Sequence, residues 1–109
     1  MKQVTRLINA VGRSVYVTDG SYRTREYSAV IQPLRYKNKM YLNGEVNDLG
    51  HYAEGYYLYI GPPDISLKRL SAAASITVSD GTRYKIERSE SVYYGKDELY
   101  IWAVLKERV

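Results

Sequence analysis

Turn signals divide this sequence into short runs rich in tyrosine and β-branched residues, and this spacing constrains the fold more than any other feature. Asp80-Gly81 is the strongest signal, because Asp-Gly favours the two-residue turns that join antiparallel strands. Asp19-Gly20 and Gly95-Lys96-Asp97 mark two further turns. Predicted strands cover residues 14–18, 23–34, 56–60, 75–79, 82–94 and 98–106. Short strands joined by tight turns predict a mainly β fold, a small antiparallel β-barrel or sandwich.

Three other segments lack a strand pattern. Residues 1–12 suit a short helical or extended lead-in, and residues 65–74 suit one or two turns of helix, so at most a short helix is expected. Segment 35–55 keeps neither a strand nor a helix period and is predicted to be one long loop, which is typical of a functional or mobile connection. A hairpin with arms at 39–42 and 49–53 is the alternative for this segment.

The length of the chain indicates one domain over residues 1–109, because a chain of this length suits a single core. Cysteine is absent, which excludes disulfides and thiolate metal sites. No apolar run reaches the length of a transmembrane helix, and residues 1–12 lack the apolar core of a signal peptide. We therefore expect a protein of the cytosol with no membrane partner.

Residues for catalysis are scarce. His51 is the only histidine, so the sequence lacks the set needed for a histidine-based zinc site or a histidine-activated nucleophile. The glycines form neither a GxGxxG nor a Walker pattern, and no calcium-loop motif is present. We expect no catalytic residue, no cofactor and no metal, and a function in binding or assembly rather than in catalysis.

Positive charge and tyrosine are interleaved at the start of segment 35–55. Arg35, Lys37 and Lys39 alternate with Tyr36, and Tyr41 follows. On a strand the three cations would lie on one side, about 7 Å apart, a spacing that can follow a phosphate backbone. An ordinary solvated loop fits the same pattern. Nucleic-acid binding by a stand-alone small β-barrel therefore stays open as an alternative function.

The aromatic residues are almost all tyrosine: thirteen tyrosines, one tryptophan and no phenylalanine. Tyrosine suits interfaces because its ring is apolar while its hydroxyl can stay hydrated. One core of this size cannot hold every ring, so some rings should be exposed and mark a partner surface. The candidates for this subunit or partner interface are Tyr57, Tyr59, Tyr93, Tyr94, Tyr100 and Trp102.

Three stretches follow one another as strand, returning strand and closing hairpin. They are Tyr27-Ser-Ala-Val-Ile-Gln-Pro-Leu34, then Tyr56-Tyr-Leu-Tyr-Ile-Gly-Pro-Pro-Asp64, and finally Ala74-Ser-Ile-Thr-Val-Ser-Asp-Gly-Thr-Arg-Tyr-Lys-Ile86 with the strand 100–105. In this order the chain resembles the head–tail connector proteins of tailed bacteriophages, in particular the small head-completion or stopper type. The likeness covers residues 27–106, and the adaptor, stopper and tail-terminus subtypes all stay open.

The resemblance implies a β-barrel that is made in the bacterial host cytoplasm and assembles with copies of itself as a ring in the virion neck. Such a ring extends the portal channel, retains the packaged double-stranded DNA without reading its sequence, and docks a portal or adaptor protein and a tail-terminus protein. The family's long loop projects into the channel. By this resemblance Arg35, Lys37 and Lys39 of segment 35–55 would face the DNA.

Overall fold

The computed structural model describes residues 2–34, 39–42, 45–48 and 55–108. These ranges contain one helix and nine strands: α1 (Lys2–Val11), β1 (Arg13–Asp19), β2 (Tyr22–Arg23), β3 (Tyr27–Pro33), β4 (Lys39–Leu42), β5 (Glu45–Asp48), β6 (Tyr56–Gly61), β7 (Ser75–Val78), β8 (Arg83–Tyr94) and β9 (Asp97–Arg108). The predicted mainly β fold with one short helix is confirmed.

Six strands close into an antiparallel barrel. Around the barrel they follow the order β1, β3, β6, β9, β8 and β7, and β7 pairs with β1 to complete the circle. β2 is an extra strand that pairs with the end of β1. Closure pairs the strands on both sides over their shared length, which removes the exposed edges of an open sheet. Of the two architectures that the sequence left open, the fold is therefore the barrel.

The predicted long strand over 23–34 is broken in the structure. β2 ends at Arg23 and β3 begins at Tyr27. Between them, the Thr24 amide donates to the Val17 carbonyl and the Thr24 hydroxyl accepts from the Val17 amide, both at 2.9 Å. Thr24 thus holds the chain against β1 through the break, and β2 and β3 both pair with β1 around the curved wall.

Part of the barrel wall is apolar on both faces. Ile101, Ala103 and Leu105 of β9 belong to the core inside the barrel, which draws on every barrel strand. The alternate β9 residues Trp102 and Val104 belong to a second buried cluster, which must lie on the outer face because successive strand residues point to opposite sides. Residues 101–105 of β9 are therefore buried on both faces of the wall.

The predicted helix at 65–74 is wrong, because these residues form turns. Ile65 and Leu67 are both buried in the core. Residues two positions apart lie on different sides of a helix, so a helix would not bury both of them in one core. The amide and hydroxyl of Ser71 both donate to the Asp19 carboxylate of β1, at 2.8 and 2.5 Å. These tertiary contacts take the place of helical hydrogen bonds. We call residues 62–74 the plug, because they follow β6 and place apolar side chains inside the barrel.

One end of the barrel carries segment 35–55. β3 and β6 pair with Pro33 opposite Tyr57, and the Leu34 amide donates to the Tyr56 carbonyl at 2.9 Å. The segment therefore joins two neighbouring strands and leaves the barrel where they end, which we call the insertion end. It contains a hairpin of β4 and β5 rather than only a loop. The first predicted arm is confirmed, whereas the second lies at Glu45–Asp48 instead of 49–53.

A β-ribbon leaves the opposite end. β6 stops at Gly61, opposite Ile101, but β9 already begins at Asp97. Residues 97–100 therefore extend beyond β6 by about 13 Å at the usual rise of an antiparallel strand. Tyr94 and Asp97 pair beside the turn, as the Gly95-Lys96-Asp97 signal predicts. We call residues 93–98 the ribbon tip and this side of the barrel the ribbon end.

Candidate interaction surface

The six aromatic residues predicted to form an interface divide into three pairs. Two are exposed, two are half-buried and two are buried: Tyr93 and Tyr94, Tyr57 and Tyr100, and Tyr59 and Trp102, respectively. Tyr59 is 0% exposed and Trp102 is 1% exposed. The interface prediction is therefore wrong for Tyr59 and Trp102, because neither side chain is accessible to a partner of the folded chain.

Tyr59 is part of a polar pair inside the barrel. Its hydroxyl lies 2.9 Å from the hydroxyl of Tyr27, and one of the two donates to the other. A side chain at Gly61 would overlap the Tyr59 ring, so glycine there gives the ring its space. Burial raises the pKa of Tyr27 to about 12 and also raises the pKa of Tyr59. The pair is buried and neutral, and it belongs to the core.

Trp102 occupies the outer cluster of the barrel wall. Leu58 and Val104 are buried in the same cluster. The Arg88 guanidinium lies 5.8 Å from the centre of the Trp102 ring, within the range of a cation–π contact. A strand that is apolar on both faces gives the same sequence pattern whether its outer face packs within the chain or against a partner. That ambiguity is the reason for the wrong prediction.

The ribbon end collects the exposed tyrosines. Tyr22, Tyr93 and Tyr94 are exposed by 56%, 52% and 79%. Tyr22 lies on β2, and the other two lie at the ribbon tip. The Lys68 ammonium of the plug lies 5.6 Å from the Tyr93 ring centre and donates to its hydroxyl at 3.4 Å. Tyrosine and arginine are enriched at protein interfaces, whereas lysine is depleted there.

A groove of about 410 Å³ lies between the β1–β2 turn and the plug. We call it the ribbon-end groove; its lining residues are Asp19, Tyr22, Ser66, Arg69 and Leu70. The two hydrogen bonds from Ser71 lower the pKa of the Asp19 carboxyl, so Asp19 is charged at neutral pH. Arg69 is exposed and forms no ion pair with any residue in the described ranges. The groove thus joins apolar walls to an unpaired guanidinium.

Sequence reasoning missed Tyr22, Lys68 and Arg69 as surface residues of one site. Tyr22 follows the Asp19-Gly20 turn, whereas Lys68 and Arg69 lie in the segment predicted to be helical. The contact of Ser71 with Asp19 brings the plug to the end of β1. A pairing between residues so distant in the chain leaves no local signal in one sequence.

The residues predicted to contact DNA lie at or beside β4. Lys39 is the first residue of β4, opposite Asp48 of β5. Arg35 and Lys37 lie outside the described residues, as does His51. The contact of these residues with DNA therefore stays a prediction.

Within residues 2–34, 39–42, 45–48 and 55–108, no three His, Cys, Asp or Glu side chains are grouped to hold a metal ion. The one helix in these ranges is too short to cross a membrane.

Comparison with known proteins adds no relative. No protein-family model matches the chain, and no curated protein or solved structure matches it either. Function is therefore inferred from the barrel, its two ends and their surfaces.

Proposed function

We propose that this chain is a head–tail connector component of a tailed phage or prophage, of the head-completion, stopper or adaptor kind. In this role copies of the chain form a ring in the virion neck that extends the portal channel, retains DNA and docks the tail. The observation that carries the proposal is a closed barrel with segment 35–55 attached at one end and the ribbon at the opposite end. Segment 35–55 leaves the insertion end, and the ribbon leaves the other end.

Additions at both ends of a barrel suit a subunit that is held in an axial stack. Such a subunit must contact one component above it and another below it, and each contact needs its own surface. The ribbon end offers exposed Tyr93 and Tyr94 for a protein partner. The proposed partners are a portal or adaptor protein and a tail-terminus protein. The role is structural and uses no catalytic residue.

The proposed contact with DNA is non-specific and electrostatic. Arg35, Lys37 and Lys39 supply three positive charges in five residues of sequence. A ring repeats these charges around the channel, so that its field at the phosphates exceeds that of one chain. Such binding weakens steeply as salt displaces the contacts.

The test is the mass of the purified protein. Native mass spectrometry and analytical ultracentrifugation across a concentration range, with negative-stain images, should show closed oligomers with a central hole. A chain that stays monomeric over the whole range contradicts the proposal. A monomer that also binds double-stranded DNA tightly, with a steep salt dependence, supports the stand-alone nucleic-acid-binding barrel instead.

A further inference from the structure

We propose that four cations on the outer wall of the barrel form a binding site for the phosphate backbone of double-stranded DNA. Two lie on β8 and two on β9: Arg83, Lys85, Lys106 and Arg108, which we call the basic patch. The inference deepens the proposed function and rests on it, because DNA is the polyanion that the proposed ring encloses. It gives the barrel wall a DNA contact of its own, outside segment 35–55.

Strand pairing brings the four cations together at the insertion end. Arg83 lies opposite Arg108, and Lys85 lies opposite Lys106. Lys106 also lies opposite Tyr56, the residue at which β6 begins. Neighbouring strands are about 5 Å apart, and alternate residues of one strand are about 7 Å apart. The patch is therefore a compact array with two cations on each of two adjacent strands.

The basic patch lies on the outer face of the wall. Its residues alternate along β8 and β9 with Tyr84 and Leu105, both of which belong to the core inside the barrel. Successive strand residues point to opposite faces, so the four cations point away from this core. Arg83 and Lys106 are exposed, and the other two are half-buried. The Lys106 ammonium lies 5.3 Å from the centre of the Tyr56 ring, which keeps it against the wall.

The positive charge of the patch is poorly balanced by the chain itself. Like charges directly opposite each other in a sheet are destabilising, so both cross-strand pairs cost free energy in the unbound protein. In the described part of the chain, one carboxylate lies within ion-pair distance of the patch, that of Glu87 at 3.7 Å from the Lys85 ammonium. The Arg108 guanidinium donates instead to the carbonyls of Ala72 and Ala74, at 3.3 and 3.2 Å. An anion bound across the patch would relieve the repulsion.

The composition of the patch favours nucleic acid over a membrane or a protein. Membrane-surface sites combine cations with apolar side chains that enter the lipid. The large apolar residues that are exposed in the described ranges lie elsewhere: Leu7, Val11, Tyr22, Tyr93 and Tyr94. Protein interfaces are depleted of lysine, which supplies half of the patch. Cations about 7 Å apart on two adjacent strands can instead follow a phosphate backbone, where each contact releases condensed counterions.

DNA titrations at a series of salt concentrations test the site. Fluorescence anisotropy of a labelled duplex gives the dissociation constant of the unmodified chain and of the double variant Arg83→Gln with Lys106→Gln. The variant should bind about tenfold more weakly, or worse, at low salt. Its slope of log affinity against log salt should be smaller by about two, because each lost phosphate contact removes about 0.9 from the slope. An unmodified chain that binds no DNA at low salt overturns the inference.

The matched control removes two exposed cations from the ribbon end. Arg69→Gln with Lys96→Gln changes the net charge by the same amount and should keep the salt slope of the unmodified chain. Arg83→Lys with Lys106→Arg keeps the charge of the patch and should bind DNA as the unmodified chain does. Equal losses in the patch variant and the ribbon-end variant would assign binding to overall charge and overturn the inference. Circular dichroism confirms that each variant is folded.

Vesicles of phosphatidylserine in phosphatidylcholine test for a membrane ligand at the same patch. We expect the unmodified chain and the patch variant to bind these vesicles equally weakly. Vesicle binding that is lost in the patch variant, while its DNA binding is unchanged, would replace DNA by a lipid surface and overturn the inference.

The outcomes separate this inference from the proposed function. Rings that form from the unmodified chain, with DNA binding unchanged in the patch variant, overturn the patch as a DNA site and leave the proposed function standing. DNA binding that needs the patch, in a protein whose mass stays monomeric, supports the site and counts against the ring. A chain that neither binds DNA nor assembles contradicts both.

Discussion

Two tyrosine hydroxyls meet inside the barrel of this protein, where most of the other side chains are apolar. Tyr27 and Tyr59 satisfy each other with one hydrogen bond of 2.9 Å. A buried hydroxyl without a partner costs about 1–3 kcal/mol, so neither residue is a neutral replacement for phenylalanine while the other remains. The pair therefore fixes the relative position of β3 and β6 at the wall that leads into segment 35–55.

The Tyr27–Tyr59 pair makes the stability of the fold sensitive to alkali. Burial raises the pKa of Tyr27 to about 12, whereas an unfolded chain ionises tyrosine near 10. The folded state thus holds protons that the unfolded state loses. This contribution is complete below about pH 10 and is lost as the pH rises towards 12, which for Tyr27 amounts to about 3 kcal/mol. Urea unfolding at a series of pH values measures the decline.

Paired substitution identifies the source of this pH dependence. The double variant Tyr27→Phe with Tyr59→Phe should stay within about 1 kcal/mol of the original stability at pH 7, because both hydrogen-bonding groups are removed together. It should lose most of the decline above pH 10. Tyr94→Phe is the exposed control and should keep the decline. An unchanged decline in the double variant would assign the alkaline sensitivity to other groups.

At this scale the sequence shows which residues are aromatic but not which are buried. Tyr57 and Tyr59 are the same residue type and lie two positions apart on β6. Tyr59 is buried, whereas Tyr57 is half-buried. Burial depends on how far each ring lies from the end of the barrel and on neighbours such as Gly61. Those distances are set by strand pairing, which a single sequence does not specify.

Among the elements, the hairpins with short turns are the ones that local sequence determines. The Asp80-Gly81 signal predicts strands at 75–79 and 82–94, and β7 and β8 lie within one residue of both ranges. Gly81 has a φ of 94°, a conformation that glycine adopts without strain. Turn chemistry and strand composition act over a few residues, so they can be read from the sequence.

The elements that the sequence predicts wrongly are those held by distant contacts. The plug lacks its predicted helix because Ile65 and Leu67 enter the core and Ser71 binds Asp19. The predicted strand 23–34 breaks where Thr24 pairs with Val17. In both cases a tertiary contact overrides local propensity, and the partner lies elsewhere in the chain.

The outer cluster should stabilise the wall as strongly as the inner core does. Val104 of β9 lies on the outer face and is 0% exposed, while Val78 of β7 lies inside and is 1% exposed. Val104→Ala and Val78→Ala each remove two buried carbon groups, so each should lower the free energy of unfolding by about 2 kcal/mol. Val11→Ala, at an exposed site of α1, should change it by less than about 0.5 kcal/mol. Thermal and urea unfolding measure all three.

A small effect of Val104→Ala beside a large effect of Val78→Ala would contradict this equality. It would mean that the outer face of β9 contributes little to the stability of the isolated chain. The comparison is matched, because the same atoms are removed from two strands of one barrel.

For the whole molecule, closure is the property that the sequence leaves undecided. The barrel closes through β7 and β1, which lie far apart in the chain and pair through Val15 opposite Val78. The sequence predicts strands and turns, and both a barrel and a sandwich satisfy them. The choice depends on this one distant pairing. Closure also fixes the two ends, and with them the separation of the ribbon tip from Leu34 and Tyr56, between which segment 35–55 is inserted.

This separation predicts that the barrel folds without segment 35–55. Leu34 and Tyr56 lie side by side, with the Leu34 amide bonded to the Tyr56 carbonyl, which is the arrangement that closes a two-residue hairpin. Replacement of residues 35–55 by Asn-Gly should therefore give a chain with β circular dichroism and cooperative unfolding. The shortened chain should bind double-stranded DNA more weakly at low salt, since Arg35, Lys37 and Lys39 are gone. An unfolded product would show that the segment is part of the core, and undiminished DNA binding would remove these cations from the proposed channel.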